Sequence, residues 1–124
     1  MSRAPRILWT DCLGGLFVGI LVLTAHQFIA DWHNLSKQLI LFMGAVNLAY
    51  GCYSLFVTLR TPRPLILVKL LAMANIIWLP VCTAITAYHW NDISAIGIIH
   101  VLGEGVYVAG LGLMEWTRRE QLAS

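Results

Sequence analysis

Apolar residues run almost uninterrupted through four stretches of the chain, residues 7–30, 37–59, 65–88 and 94–116. Each exceeds the roughly 20 residues an α-helix needs to cross about 30 Å of hydrocarbon. Polar breaks separate them at Asp31-Trp32-His33-Asn34, Arg60-Thr61-Pro62-Arg63-Pro64 and His89-Trp90-Asn91-Asp92. These breaks hold turn residues that helix interiors avoid, and links this short make consecutive helices antiparallel neighbours. The pattern predicts an all-α fold, an integral membrane antiparallel four-helix bundle filling residues 1–124 as a single domain.

Within each stretch, polar and small residues recur at three- and four-residue spacing, which marks the face turned away from lipid. The first stripe is Asp11, Gly15, Gly19, Val22 and His26, and the second is Gly44, Asn47, Gly51, Ser54 and Thr58. The third runs through Lys69, Ala72, Asn75, Leu79, Cys82, Thr86 and His89, the fourth through His100, Glu104, Val108, Leu111 and Glu115. Gly15-x-x-x-Gly19, and Gly105-x-x-x-Ala109 with Gly112, have the spacing of close helix packing, inside the bundle or between copies. Pro80 removes one helical hydrogen bond and predicts a kink or a free carbonyl at Ile76.

Composition agrees with this solvent: 59% of residues are hydrophobic and only 11% charged, where a water-soluble domain carries about 25% charge. A soluble globule, a disordered tail and nucleic-acid binding are excluded together. Six arginines then orient the bundle. Arg3 and Arg6 precede the first span, Arg60 and Arg63 lie in the second link, and Arg118 and Arg119 follow the last span, while the other links offer only Lys37. The positive-inside rule places both termini and the Arg60 link in the cytoplasm. Trp9 and Trp116 on the inner side, and Trp32 and Trp90 on the outer, fall where interfacial aromatics are expected. The first apolar run is too long for a cleaved signal and reads as an uncleaved span.

By depth, the polar groups inside the spans form three layers. Asp11, Lys69 and Glu115 lie near the cytoplasmic ends and read as a structural ion network, two acids facing one base. Asn47, Asn75 and Glu104 lie mid-membrane, with Trp78 one turn beyond Asn75. An ionised carboxylate there costs roughly 2.5 to 3.5 kcal/mol on insertion scales, so Glu104 is expected to be protonated or hydrogen-bonded to the amides. It reads either as a proton- or cation-binding group or as part of a packing network. His26, His89 and His100, with His33 in a link, collect on the outer side, as interfacial residues, proton-transfer groups or ligands to zinc, copper or haem.

Cys12, Cys52 and Cys82 read as buried small hydrophobes, and no Cys-x-x-Cys, phosphate-binding, dinucleotide or zinc-protease motif is present. In length and in a lone mid-span glutamate the chain is similar to the small multidrug resistance transporters. Their glutamate lies in the first span, where this chain has glycines and Val18, so architecture alone carries no function across.

Three functional expectations follow. The first, favoured by the position of Glu104, is a transporter or channel-like protein of a bacterial inner (plasma) membrane. It would bind a small cation, proton or polar ligand at Asn47, Asn75, Trp78, His100 and Glu104. The second is a non-enzymatic accessory, immunity or assembly subunit of a larger membrane complex. The third is a membrane redox protein holding haem or metal through His26, His89 and His100. No cofactor is required by the sequence, and an enzyme has the least support. The expected partners are the lipid bilayer and either further copies of the chain or a larger complex, not nucleic acid.

Overall fold

The computed structural model describes residues 5–123; Arg3 lies outside them. The elements are α1 (Arg6–Thr24), α2 (His26–His33), α3 (Lys37–Leu59), α4 (Leu65–Tyr88), α5 (Ala95–Thr117) and α6 (Arg119–Leu122), and the described residues contain no strand. Four of these helices, α1, α3, α4 and α5, are long and apolar enough to cross a membrane.

The expected first span of 7–30 is two helices. At Ala25 the backbone leaves helical geometry, with ψ at 19°. Thr24 Oγ1 donates to the Ile20 carbonyl at 2.8 Å, and His26 Nδ1 donates to the Leu23 carbonyl at 2.8 Å. Side chains thus occupy carbonyls near the break, a recognised way of bending a helix. Asp31 to His33, expected as a link, instead complete α2, which ends at Asn34 in the left-handed region (φ 55°). Asparagine tolerates that conformation better than most residues. Ser36 and Ser94 cap α3 and α5, accepting from the Leu39 and Gly97 amides at 3.2 and 3.0 Å. α4 continues through Pro80.

The bundle consists of two tight hairpins, α1 with α3 and α4 with α5, and contacts between the hairpins are sparse by comparison. Glycine explains the tightness. A Cβ on Gly15 would stand 3.0 Å from the Gly51 Cα, and one on Gly19 would stand 2.6 Å from the Leu48 nitrogen. In the second hairpin, Gly105 lies against Cys82 and Leu79, and Gly112 against the Ala72 carbonyl. The small-residue stripes are therefore used inside the bundle, while Gly103 and Gly110 face open space. Cys12 and Cys82 are buried, but Cys52 is exposed because it sits one position off the Gly51–Ser54 stripe.

The hairpins are joined at both ends. At one end Arg63, only 5% exposed, donates from Nε to the Leu122 carbonyl (2.8 Å) and from Nη1 to those of Thr58 (2.9 Å) and Arg60 (3.2 Å). At the other, Asn34 Nδ2 donates to the Asp92 carbonyl at 2.7 Å, and the Ser94 amide to the His33 carbonyl at 3.0 Å.

Candidate functional site

The polar groups gather where the two hairpins meet. His100, Glu104 and Glu115 recur at intervals of four and eleven residues, which on a 3.6-residue helix places them on one face of α5. That face meets Asp11 of α1, Asn47 of α3, and Asn75 and Trp78 of α4.

Toward the end of the bundle holding the α4–α5 link, a chain of polar contacts begins at His33. Its Nε2 lies 2.7 Å from His100 Nδ1, the rings meeting edge to face. His100 Nε2 lies 3.4 Å from Glu104 Oε2. Glu104 Oε1 accepts from Trp78 Nε1 at 3.2 Å, and Trp78 is held edge-on against Tyr50. The Glu104 side chain is only 7% exposed. Asn47 reaches toward the same carboxyl, yet its Nδ2 makes no hydrogen bond. His33, outside the long apolar helices and 4% exposed, is held below the usual histidine pKa, first by burial and then by the His100 imidazole.

The histidine pair admits two hydrogen-bond arrangements, since a neutral imidazole carries one N–H and one bare nitrogen. In the first, His33 Nε2–H donates to His100 Nδ1, and His100 Nε2–H faces an ionised Glu104. In the second, His100 Nδ1–H donates to His33 Nε2, His33 Nδ1 carries a hydrogen, and a protonated Glu104 faces the bare His100 Nε2. The second holds one proton more than the first. His33 Nδ1 is buried without a partner in the protein and is the last atom of the chain.

Toward the opposite end lies a second cluster. Asn75 Nδ2 donates one hydrogen to Asp11 Oδ2 at 2.7 Å and the other to Glu115 Oε1 at 2.8 Å. Asn75 and Glu115 are 1% and 0% exposed. The mid-membrane grouping expected from depth is thereby divided, with Asn75 serving the inner acids and Glu104 served by Trp78 and His100. Asn75 lies one helical turn from Trp78, so one stripe on α4 supplies both clusters.

Between the clusters is a cavity of about 40 Å³ that both Asp11 and Glu104 line, with Asn47, Tyr50, Asn75 and Tyr107 among its walls. One water needs roughly 10–15 Å³ on this measure, so the cavity has room for a few waters, whereas drug-sized ligands occupy about 300–1,000 Å³.

The remaining expectations fare differently. Lys69 is half-buried and forms no ion pair with Asp11 or Glu115; the donor between those acids is the Asn75 amide. No group of three or more His, Cys, Asp or Glu among the described residues has metal-holding geometry. His26 is engaged by the Leu23 carbonyl near the end of α1 and His89 packs on Tyr88, so neither joins His100. The 2.7 Å His33–His100 separation is a hydrogen bond, shorter than the roughly 3.3 Å between two nitrogens on one tetrahedral zinc. His33 belongs to the outer histidine group read from the sequence, but not to the Glu104 site expected there. Its partner stands 67 positions away, and no local spacing announces that pairing. Comparisons with protein-family models, curated proteins and solved structures find no match to this chain.

Proposed function

We propose that this protein is a small integral membrane bundle that binds a proton at Glu104 and relays it through His100 to His33. Its location would be a bacterial inner (plasma) membrane with both termini cytoplasmic. The four apolar helices support membrane insertion, and Arg6, Arg60, Arg118 and Arg119 at the same end support the orientation. The carrying observation is the contact chain from buried His33 through half-buried His100 to Glu104, whose carboxyl lines the cavity. A relay step moves the Glu104 proton to His100 Nε2, the His100 Nδ1 proton to His33 Nε2, and the His33 Nδ1 proton to an acceptor outside. Each nitrogen that gains a hydrogen belongs to a ring that loses one, so charge changes only at Glu104 and at the outer acceptor.

The test is proton flux in vesicles containing the purified protein and an internal pH-sensitive dye. Glu104→Gln keeps shape and hydrogen-bonding capacity but removes the titrating group. Flux should fall about a hundredfold. Wild-type flux in a folded Glu104→Gln protein would end this reading. Competition by sodium or potassium in the same vesicles would instead identify a small metal cation as the ligand.

A further inference from the structure

The Asp11–Asn75–Glu115 cluster buries two carboxyl groups on one amide, with one carboxyl oxygen unpartnered. The amide of Asn75 has two hydrogens, and both are committed, one to each acid. Glu115 Oε2 is then left buried with no hydrogen-bond donor, although the Asp11 carboxyl is held beside Glu115 by the one Asn75 nitrogen they share. Two carboxylates this close and this far from water repel one another strongly, and the aspartic-protease dyad shows the usual solution. A metal cation is disfavoured because the amide hydrogens already stand between the acids, and Asn75 turns a donor rather than a carbonyl oxygen toward them. The missing group is a hydrogen on one acid, donated to the other.

We infer that Asp11 and Glu115, clamped by Asn75, hold one proton between them and exchange it with Glu104 across the shared cavity. This rests on the reading of Glu104 as a proton-binding group and gives that site its source. Glu104 and Glu115 are separated by roughly 16 Å along α5 at 1.5 Å per residue, too far for direct transfer, but Asp11 and Glu104 line one cavity of water-holding size. In the exchange an O–H bond breaks at the acid pair, which becomes doubly negative. Cavity water carries the proton across, and an O–H bond forms at Glu104, which becomes neutral. The titratable groups around the path are Asp11 of α1, Tyr50 of α3, and Glu104 and Tyr107 of α5, with Cys82 of α4 beside Glu104. The route then runs from the end carrying the termini to His33 at the opposite end.

Infrared spectroscopy of the full-length protein in lipid at neutral pH reads the shared proton directly, as the C=O stretch of a protonated carboxyl that shifts in D2O. Glu115→Gln is the main variant, because its amide can still donate to Asp11 and accept from Asn75. Asp11→Asn is the second variant should the first fail to fold. The band attributed to the pair should vanish in either variant and persist in Glu104→Gln, and vesicle proton flux in Glu115→Gln should fall about a hundredfold. An infrared spectrum unchanged by both substitutions overturns the shared proton. A lost band with unchanged flux overturns the exchange with Glu104. Full flux in Glu104→Gln with the band intact overturns the Glu104 reading and the exchange that rests on it, leaving the shared proton standing.

Discussion

Replacing Gly51 with alanine tests whether α1 and α3 are held at backbone contact. The added Cβ would lie 2.6 Å from the Leu16 nitrogen and 2.9 Å from the Gly15 carbonyl carbon. Both are backbone atoms, so no side chain can turn aside. An ordinary contact of about 3.5 Å requires the helices to part by roughly 1 Å at this level, and such a gap forfeits a quarter to a half of each neighbouring dispersion contact. Overpacking of this kind costs about 1–3 kcal/mol. Thermal unfolding in mild detergent, followed by size-exclusion profile after heating, should show a melting temperature lower by roughly 5–10 °C. Gly110→Ala is the matched control, because a Cβ there meets nothing within 4 Å. Gly19→Ala should add less to Gly51→Ala than it costs alone, since one separation of the helices relieves both clashes. Equal melting of Gly51→Ala and Gly110→Ala would refute the close packing.

Two further outcomes follow from the ends of the bundle. The unfolded chain protonates His33 near its ordinary value of 6.5, while the folded protein holds it lower, through burial and the facing His100. Stability is therefore fully present above about pH 6.5 and declines as pH falls below it. Melting temperatures between pH 8 and pH 5 should show this decline, with a shallower slope in His33→Gln; an unchanged slope would remove His33 as the cause. Arg63→Lys should loosen the docking of α6, because one ammonium cannot reproduce a planar fork reaching the Thr58, Arg60 and Leu122 carbonyls. A loss of about 2 kcal/mol and faster proteolysis near residue 122 are expected, and wild-type resistance would contradict the clasp.

The periodicity of small and polar residues was sufficient to locate the four long helices and most of their inward faces, but not the separate α2. Gly44, Asn47, Gly51, Ser54 and Thr58, chosen by spacing alone, are all buried. What spacing does not carry is partnership. Asp11, Lys69 and Glu115 share a depth, and opposite charge pairs them naturally on paper. In the fold, Asn75 reaches both acids and the long lysine side chain does not. Depth likewise grouped Asn75 with Glu104, but one helical turn along α4 suffices to assign two polar side chains to different neighbours. The break at Ala25 was hidden because apolar residues continue past it, at Phe28, Ile29 and Ala30.

The division into two tight hairpins bears on how the protein is assembled. The first hairpin contributes Asp11 and Asn47, the second Asn75, Trp78, Glu104 and Glu115. Alone in a bilayer, each would present buried-type polar groups to lipid, at a cost of several kcal/mol for an unsatisfied group. Apolar surface gives no comparable impulse, because lipid tails solvate leucine as well as another helix does. The Asp11–Asn75 and His33–His100 hydrogen bonds, which cross between the hairpins, would therefore also act as an adhesive between the two halves. Two separately expressed fragments, cut at the 60–64 link, have a chemical reason to find each other, and substitutions that neutralise the seam should weaken that reunion as well as any flux.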